Sequence, residues 1–379
     1  MVRNKKIKIL QTIRQGNIGG GESHVLDLVT NLDKDRFESV VLSFTHGPMV
    51  DKLIELGIKI HVIETTKPFN LFVWPKVKKV FDQENFDILH AHGTRAFSNT
   101  FKVAKKLTIP AIYTVHGWSF HADQNTFVKN IRLISENFLV KQADKTICVS
   151  DSNLADGKKH FDMSRSVVIK NGINQQKFNP AGEFKNIREE LGIGHHTLLV
   201  GFIARMTIQK DPFTFIKAVA KIPATENIKF LIVGDGDLKE RTVTLSKELG
   251  VNERIIFLPF RQDIPDLLNA IDVYCLPSLW EGLSIALLEA MAMRKTIIAT
   301  AVDGTKEVVQ NEYNGLFIEP RNPDDLANAI LKVAANKTMR EALAVNAFNT
   351  ITEDFNIKQM VVKIENIYSG LFAKKNDIT

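Results

Sequence analysis

The sequence predicts two doubly wound α/β domains, each a parallel β-sheet covered by helices on both faces. Short β-branched runs alternate with helical patterns along all 379 residues, and most of these runs are almost continuously apolar. Strands that are buried on both faces have this composition. At roughly 150 residues per domain, the length fits two or three domains with a sizeable core.

Thirteen segments are predicted to be strands. Each is rich in Val, Ile, Leu or Phe and is bounded by polar or turn-forming residues. In the first half they are residues 6–13, 39–44, 59–64, 86–92, 110–116, 145–150 and 166–172, and in the second half 198–204, 228–234, 254–260, 272–278, 296–302 and 314–320.

The segments between these strands are predicted to be helices. Val25, Leu28 and Leu32 recur at helical spacing after the first strand. The polar, turn-rich stretch 171–182 is the expected boundary between the domains. The predicted parts are a first domain over 1–175, a second domain over 176–355, and a C-terminal helix over 356–379 that crosses back to the first domain.

The composition excludes several classes of protein. With 44% hydrophobic and 24% charged residues, the chain is not predominantly disordered. Its two cysteines, Cys148 and Cys275, lie in apolar runs, which favours core packing in a reducing compartment over a disulfide scaffold. No apolar run approaches the ~18 residues of a membrane span, and the basic N-terminus lacks a signal-peptide pattern. We therefore expect a cytoplasmic protein.

Charge is unevenly distributed along the chain. Residues 1–185 carry 27 Lys and Arg against 18 Asp and Glu, a net charge of +9, whereas the rest carries 22 against 25, a net charge of −3. A basic first half suggests an anionic partner. The candidates are nucleic acid, an anionic membrane surface and a phosphorylated substrate, and no nucleic-acid recognition motif supports the first.

The first βα turn is rich in glycine, from Gly16 to Glu22. Such a turn lets backbone amides approach a phosphate or carboxylate at a helix N-terminus. It does not have the G-x-G-x-x-G pattern, because His24 stands where the third glycine would fall, and the chain has no P-loop motif. Hydride transfer and P-loop chemistry therefore lose their main support.

Three histidines lie at the ends of predicted strands. His116 is followed by Gly117 and is open to a ligand, whereas His90 lies within an apolar strand and fits the core better. A zinc site is conceivable at His90 and His92, but no cysteine or carboxylate joins them at ligand spacing.

Charged residues in the second half suit a nucleotide diphosphate. Arg205 and Lys210 follow its first strand and fit a diphosphate. Glu281 and Glu289 flank an apolar helical pattern that places them on one face about 12 Å apart, so they would grip opposite ends of a long ligand, one of them at a ribose.

The amides of Gly282, Leu283 and Ser284 are expected at the N-terminus of the same helix, which is a further anion site. Asp235 and Asp237 form a D-x-D pattern that metals can use, but the position after a strand favours a turn, so we expect no metal there.

Taken together, these motifs resemble the retaining glycosyltransferases of family 4, which have the GT-B fold. The resemblance covers nearly the whole chain, and the E-x7-E spacing of Glu281 and Glu289 is its most specific part. It implies two facing Rossmann-like domains with an inter-domain cleft, the first binding the acceptor and the second the nucleotide sugar. The other motifs are GGGESHV, HAHG, TVHG, VIKNGI, ARMTIQK, VGDGDL and NGLFIEP.

The resemblance also implies the site residues. The catalytic residues would be His116, Arg205, Lys210 and Glu281. The donor-binding residues would be Gly20, Arg205, Lys210, Phe260, Arg261, Glu281, Gly282, Leu283, Ser284 and Glu289. The residues on the acceptor side would be Gly21, Glu22 and His92.

In this resemblance Arg205 and Lys210 hold the diphosphate, and His116 lies beside the transferred sugar. Glu281 contacts that sugar, Glu289 the ribose, and Phe260 with Arg261 the base. The sequence reads E-G-L-S-I-A where the family usually has E-G-F-G-x-P, which leaves the donor sugar open.

The implied activity is transfer of a sugar, with retention of configuration, from a nucleotide diphosphate sugar to a hydroxyl of a glycan or lipid-linked acceptor in surface polysaccharide synthesis. UDP is favoured over GDP, and neither a metal nor another cofactor is expected. Two alternatives stay open: a nucleotide-sugar epimerase of the same fold, and a non-catalytic nucleotide-sugar binding protein.

The segment 67–81, KPFNLFVWPKVKKVF, suggests peripheral membrane association. Aromatic and aliphatic residues precede a short basic amphipathic helix, a composition typical of interfacial segments. We expect reversible binding to the inner face of the plasma membrane. The apolar residues are Phe69, Leu71, Phe72 and Trp74, and the lysines are Lys76, Lys78 and Lys79.

Overall fold

The computed structural model describes residues 5–121, 124–351 and 353–378. The chain divides into two units. Unit 1 comprises Met1–Gly172 together with Ile357–Thr379, and unit 2 comprises Ile173–Asn356. The sequence predicted the first division at 175/176, three residues after the observed one. It predicted the second division at 355/356, one residue before the observed one.

Unit 1 is built on a parallel sheet in the order β3-β2-β1-β4-β5-β6-β7. Its strands are β1 (Ile7–Ile13), β2 (Phe37–Ser43), β3 (Ile60–Val62), β4 (Ile88–His92), β5 (Ala111–Val115), β6 (Lys145–Cys148) and β7 (Ser166–Val168). The helices before the division are α1 (Gly20–Asn31), α2 (Pro48–Glu55), a 3-10 turn (Leu71–Val73), α3 (Trp74–Glu84), α4 (Thr94–Lys106), α5 (Thr126–Gln142) and α6 (Asp151–Lys158).

Unit 2 repeats this plan with a parallel sheet in the order β10-β9-β8-β11-β12-β13. Its strands are β8 (Leu198–Ile203), β9 (Ile228–Val233), β10 (Ile255–Leu258), β11 (Val273–Leu276), β12 (Thr296–Thr300) and β13 (Leu316–Ile318). Its helices are α7 (Ile187–Glu190), α8 (Pro212–Lys221), α9 (Lys239–Glu248), α10 (Ile264–Ala270), α11 (Ile285–Ala292), α12 (Pro323–Ala335) and α13 (Lys337–Thr350), and 3-10 turns occur at Ile208–Lys210, Asn252–Arg254 and Asp303–Glu307.

Each predicted strand segment overlaps a strand of the structure, although β2 begins at Phe37, two residues before the predicted start. Most of these strands are buried on both faces of their sheets, whereas β3 and β7 at the sheet edges are half-buried. All residues of β4, β5 and β12 are buried. Cys148 and Cys275 are buried in the two sheets as free thiols, and burial raises the pKa of Cys148 to about 12. Both cysteines therefore serve as small core residues, as the sequence predicted.

Helix α14 (Ile357–Ile378) returns the chain to unit 1 and packs against α1, β1 and β4. Its buried residues follow helical spacing and join a core cluster that includes Ile9, Ile88 and Ile112. These buried residues are Ile357, Met360, Val361, Ile364 and Tyr368.

The strand order in each unit reverses at one point, between β1 and β4 in unit 1 and between β8 and β11 in unit 2. Ligands of doubly wound sheets bind at the carboxyl ends of the strands beside such a switch point. The two orders therefore place a candidate site in each unit.

The segment 67–81 is only partly as predicted. Phe69 and Trp74 are half-buried against the core: Phe69 packs near Phe101, and Trp74 meets the same ring edge-on with a centroid separation of 6.2 Å. The apolar face of α3 also turns into the core, so its lysines are left on the exposed side. Leu71 and Phe72 are exposed, Phe72 by 89%. Among the described residues, no helix combines the length and apolar character that a membrane span requires.

Candidate active site

The loop that follows β8 carries Arg205 and Lys210. Arg205 is half-buried, and Lys210 ends a 3-10 turn. Asp211 then adopts a left-handed conformation (φ 49°), and its carboxylate caps α8 by accepting a hydrogen bond of 3.2 Å from the Thr214 amide. This cap fixes where the turn ends and holds Lys210 at the carboxyl edge of the sheet.

Lys210 donates a short hydrogen bond to the Glu281 carboxylate and forms an ion pair with it. The two side chains are only 15% and 5% exposed. The loop after β8 and the loop after β11 therefore meet at the switch point of unit 2 through a nearly buried ion pair. Such a pair can place an ammonium group against an anionic ligand while the carboxylate accepts bonds from hydroxyls.

Hydrogen bonds to backbone groups join these two loops. The Leu279 amide donates to the Gln209 carbonyl at 2.8 Å, and the Gln209 side chain donates to the Trp280 carbonyl at 2.9 Å. The amide of Glu281 donates to the Asp303 carboxylate at 2.9 Å. Glu281 is therefore held from two neighbouring loops, the one after β8 and the one after β12, which gives its carboxylate a fixed position.

The apolar pattern predicted Glu281 and Glu289 on one helix, but only Glu289 lies on it. Helix α11 begins at Ile285, and Ser284 is its N-cap, whose side chain accepts a hydrogen bond from the Leu287 amide. Glu281 and Gly282 lie in the preceding loop, because glycine and serine favour that loop over another helical turn. The predicted axial separation therefore does not apply.

Gly282 and Leu283 are buried in this loop, ahead of the cap. Glu289 is half-buried on α11. Burial, followed by the nearby charges of Glu281 and Glu289, raises the pKa of Tyr274 well above its usual value. Both carboxylates are therefore near one buried hydroxyl of β11, which itself donates to the Ile203 carbonyl at 3.3 Å.

The predicted D-x-D segment is a turn that supports the Arg205 loop. The Met206 amide donates to the Asp235 carbonyl at 3.0 Å. Gly236 has φ +157°, and a Cβ there would lie 2.3 Å from the Met206 carbonyl oxygen, so only glycine fits. The Asp235 carboxylate pairs with Lys239 and accepts from the Phe260 amide. These contacts agree with the turn interpretation.

The guanidinium of Arg261 is bound to protein carboxylates. It pairs with Glu190 at 2.5 Å and with Asp263, and these bonds raise its pKa. Phe260 is half-buried beside it. The structure thus gives Arg261 a structural role in joining α7 to the loop after β10, and its predicted contact with a base stays a prediction.

Four histidines of unit 1 form one cluster around the end of β4. His92 stacks on His116 with the ring centroids 5.4 Å apart, and His90 lies 4.2 Å from His92 on the other side. His24, on α1, meets His116 edge-on at 4.8 Å. The sequence predicted His92 and His116 at this site and His90 in the core, but it did not single out His24 as a partner.

Burial keeps these imidazoles neutral. It lowers the pKa of His24 to about 4 and the pKa values of His90, His92 and His116 well below the usual range. One ring nitrogen from each of His24, His92 and His116 lies within 4.8 Å of the other two. Among the described residues, this is the group of side chains spaced closely enough to hold a metal ion. Two of these nitrogens hydrogen-bond to each other instead, His92 Nδ1 to His116 Nε2 at 3.1 Å.

The predicted residues of the first turn border this cluster. Gly20 is exposed in the first turn of α1, and Gly21 touches His116: a Cβ on Gly21 would lie 3.3 Å from the imidazole. Glu22 is buried, and its carboxylate accepts a 3.4 Å bond from Arg14. Gly21, Glu22 and His116 are therefore brought together at the switch point of unit 1.

Two arginines that the sequence analysis did not single out complete this site. Arg14 follows β1, and Arg95 lies in the first turn of α4, where its guanidinium donates to the Arg14 carbonyl at 3.3 Å. Burial and the charge of Arg14 lower the pKa of Arg95. Two cations thus stand near one buried carboxylate, Glu22, which leaves the site positively charged.

Two family models match the chain. "Glycosyltransferase Family 4" matches residues 18–177, which carry the unit 1 site, and "Glycosyl transferases group 1" matches residues 183–350, which carry the unit 2 site.

Full-length relatives are also found. The chain is 28% identical over 384 residues to an Escherichia coli protein, "UDP-Gal:alpha-D-GlcNAc-diphosphoundecaprenol alpha-1,3-galactosyltransferase", covering 98% of this chain and 99% of the relative. It is 24% identical to the "D-inositol 3-phosphate glycosyltransferase" of Corynebacterium glutamicum, covering 97% and 95%.

A solved structure has the same fold. Anabaena HepE, determined in complex with UDP and glucose, superposes with a TM-score of 0.84 at 23% identity and covers 96% of this chain and 99% of its own. Both units thus have the Rossmann-like architecture of GT-B enzymes, and the family matches span both candidate sites. The chain belongs to family 4 of the glycosyltransferases and is itself a glycosyltransferase with the GT-B fold.

Proposed function

We propose that this enzyme transfers a hexose from a UDP-sugar to a sugar carried on a lipid diphosphate, with retention of the anomeric configuration and without a metal ion. The observation that carries the donor half is the Lys210–Glu281 pair at the switch point of unit 2, with Arg205 in the same loop. A UDP-galactose enzyme among the relatives and a UDP-bound structure among the neighbours support UDP as the nucleotide.

The chemistry needs positive potential where the leaving group gains charge. The bond between the anomeric carbon and the UDP oxygen breaks, and the acceptor oxygen forms its bond on the same face of the sugar. The acceptor proton passes to the departing diphosphate oxygen, so no carboxylate nucleophile is required. Arg205 and Lys210 stabilise the diphosphate, and Glu281 accepts hydrogen bonds from the sugar hydroxyls.

The residues of unit 1 support an anionic acceptor. Arg14 and Arg95 provide two guanidiniums near the N-terminus of α1, against the single buried carboxylate of Glu22. A lipid diphosphate has the charge and the oxygen geometry that such a pair binds. The E. coli relative, whose name specifies a diphosphoundecaprenol acceptor, supports the same chemistry.

An exposed apolar surface on unit 1 fits a membrane that holds such an acceptor. Large apolar side chains project from one face of α5, with Phe127 73% and Ile134 70% exposed. Phe138 on this helix lies 6.3 Å from Phe69, two residues before the exposed pair Leu71 and Phe72. We call Phe127, Ile134 and Phe138 of α5, together with Leu71 and Phe72 of the 3-10 turn, the apolar strip.

Exposed lysines lie on two helices that pack against the elements of the apolar strip, α3 against the 3-10 turn and α4 against α5. Lys76, Lys78 and Lys79 are exposed on α3, and Lys105 and Lys106 are exposed on α4. Exposed apolar side chains with lysines on the adjoining helices match an anionic bilayer, to which each lysine near the surface adds about 1 kcal/mol of attraction. We therefore propose that unit 1 docks on the anionic cytoplasmic leaflet.

A donor and acceptor scan tests the activity. Purified enzyme is incubated with UDP-galactose, UDP-glucose, UDP-N-acetylglucosamine or GDP-mannose and with N-acetylglucosamine carried on a short-chain lipid diphosphate. We expect UDP release with at least one UDP-sugar, and NMR of the product should show an α-linkage from an α-donor. Turnover of GDP-mannose alone, or an inverted product, would contradict the proposal.

The acceptor assignment has its own test. Arg95→Met should raise the KM for the lipid-diphosphate acceptor by about 10-fold, because a charge-assisted contact is lost, while the donor KM stays unchanged. Arg165→Met, at an exposed arginine of the same unit, is the control. Equal acceptor KM values for Arg95→Met and wild type would place the diphosphate elsewhere.

A further inference from the structure

Six side chains of unit 1 form one continuous hydrogen-bonded chain that links His116 to helix α14. His116 Nε2 lies 3.1 Å from His92 Nδ1, and His92 Nε2 lies 3.0 Å from Gln11 Oε1. The Gln11 amide nitrogen donates to Tyr368 Oη at 2.8 Å. The chain continues from Tyr368 Oη to His90 Nδ1 at 2.6 Å and from His90 Nε2 to Thr114 Oγ1 at 2.7 Å.

The amide of Gln11 sets the direction of every bond. Its oxygen faces His92, so His92 Nε2 is the donor and His92 Nδ1 is left to accept from His116 Nε2. Its nitrogen donates to Tyr368 Oη, whose own hydrogen is directed at His90. Apart from His116, each member is at most 1% exposed, so a broken link leaves a buried polar group unsatisfied.

This direction gives His116 a defined role toward a ligand. Because Nε2 carries the proton, Nδ1 carries the lone pair. Within the part of the chain that the structure describes, Nδ1 has no hydrogen-bond partner, and the residue is half-buried beside Gly21. His116 therefore presents a hydrogen-bond acceptor, and not a donor, at the site.

We propose that Tyr368 is a positioning residue for sugar transfer: through Gln11 and His92 it holds His116 in the tautomer whose Nδ1 accepts a hydrogen bond from a hydroxyl of the transferred sugar. This inference rests on the proposed function and on the position beside the transferred sugar that the family resemblance implies for His116. Tyr368 lies 278 positions along the chain from His90 and reaches the site only because α14 returns to unit 1.

The kinetic test removes one hydroxyl. Tyr368→Phe should lower kcat about 10-fold, with the donor KM changed less than about twofold, since an orienting bond acts on the transition state more than on ground-state binding. Tyr113→Phe is the matched control, because Tyr113 is also buried in unit 1 and gives its hydroxyl to Glu136 at 2.8 Å. We expect Tyr113→Phe to keep the wild-type kcat.

A double variant separates positioning from general destabilisation. If Tyr368 acts through His116, Tyr368→Phe should cause no further loss in a His116→Ala background. An equal loss in both backgrounds would overturn the inference, because a structural defect lowers both rates alike. Gln11→Met breaks the chain at another link and should reproduce the effect of Tyr368→Phe, which keeps the test decisive if one variant folds poorly.

Nitrogen-15 NMR of the imidazoles gives a readout that does not depend on activity. We expect His92 and His116 to be protonated at Nε2 in wild type and to lose that single tautomer in Tyr368→Phe. Unchanged tautomers and unchanged kcat, while His116→Ala is impaired, would overturn the inference and leave the proposed function standing. Wild-type kcat in His116→Ala would instead remove the proposed role of His116, and the role of Tyr368 with it.

Discussion

Substitution of Lys210 should separate the structural from the chemical role of the buried pair at the switch point of unit 2. Lys210→Met leaves the Glu281 carboxylate, only 5% exposed, without its cation. Removing one partner of such a pair lowers the free energy of unfolding by about 3 kcal/mol, or about 6 to 12 °C in the melting temperature of a domain of this size. Thermal melting followed by circular dichroism measures this loss.

Lys210→Met combined with Glu281→Gln removes both charges at nearly constant volume. The double variant should recover most of the lost stability, because neutral side chains do not need each other for solvation. Its rate of UDP release in the transferase reaction should still be at least about 100-fold below wild type, since the cation that faces the diphosphate is absent. The second substitution should therefore restore stability without restoring activity.

Lys332→Met provides the matched control in the same unit. Lys332 pairs with Glu312, but the two side chains are 48% and 61% exposed, so we expect a change below about 1 kcal/mol and a normal rate. A double variant that transfers sugar at the wild-type rate would refute the assignment of Lys210 to the diphosphate. A single variant that melts at the wild-type temperature would refute the burial argument.

Three further predictions concern other parts of the molecule. Wild type should float with phosphatidylglycerol vesicles at low salt and be released at high salt, and Phe72→Ser with Ile134→Ser should abolish flotation while Tyr313→Ser, an exposed aromatic of unit 2, leaves it intact. EDTA should not change the transfer rate, whereas a loss that Mn²⁺ restores would give the two aspartates after β9 a metal role. Unit 1 should lose stability as the pH falls from about 6.5 to about 4, because burial lowers the pKa of His24 to about 4 and the unfolded chain therefore takes up protons first. Melting temperatures at pH 7, 6 and 5 measure this effect, and a flat profile would contradict it.

The sheets could be predicted from the sequence because parallel strands buried on both faces leave a local composition signal. The turn after each strand could then be located, which brought Arg205, Lys210 and His116 into consideration. It is harder to predict which apolar side chains of a segment such as 67–81 are exposed to solvent. Phe69 and Phe72 lie three residues apart in one segment, yet Phe69 packs half-buried against the core and Phe72 faces solvent, because neighbouring helices decide which side chain is covered.

The position of Glu281 was missed for a similar reason. The apolar pattern of α11 extends backward through Leu283, so periodicity alone does not show that the helix begins at Ile285. Serine at position 284 is the available signal, since it is a common N-cap. The ion pair with Lys210 joins loops that are far apart in the sequence, and no local pattern reports it.

The histidine cluster also depends on long-range contacts, although one polar residue hinted at it. Gln11 lies among the buried residues of β1, and a buried amide at the centre of a sheet needs partners for both its oxygen and its nitrogen. Those partners, His92 and Tyr368, lie far along the chain. The sequence shows that a partner is required and not which residue it is.

Unit 1 is made of two separate segments of the chain, and the ribosome synthesises them at different times. The ribosome completes all seven strands of its sheet and then the whole of unit 2 before α14 is made. Until then the apolar side chains that α14 covers, among them Ile9, Ile88 and Ile112, lack their cover, and Gln11 and His90 lack the Tyr368 hydroxyl. Unit 2 can therefore fold first, and an unfinished chain holds the residues proposed to bind the donor but lacks the Tyr368 bonds of the histidine cluster. If the proposed roles hold, a nascent polypeptide acquires its nucleotide-sugar site before it acquires an ordered acceptor site.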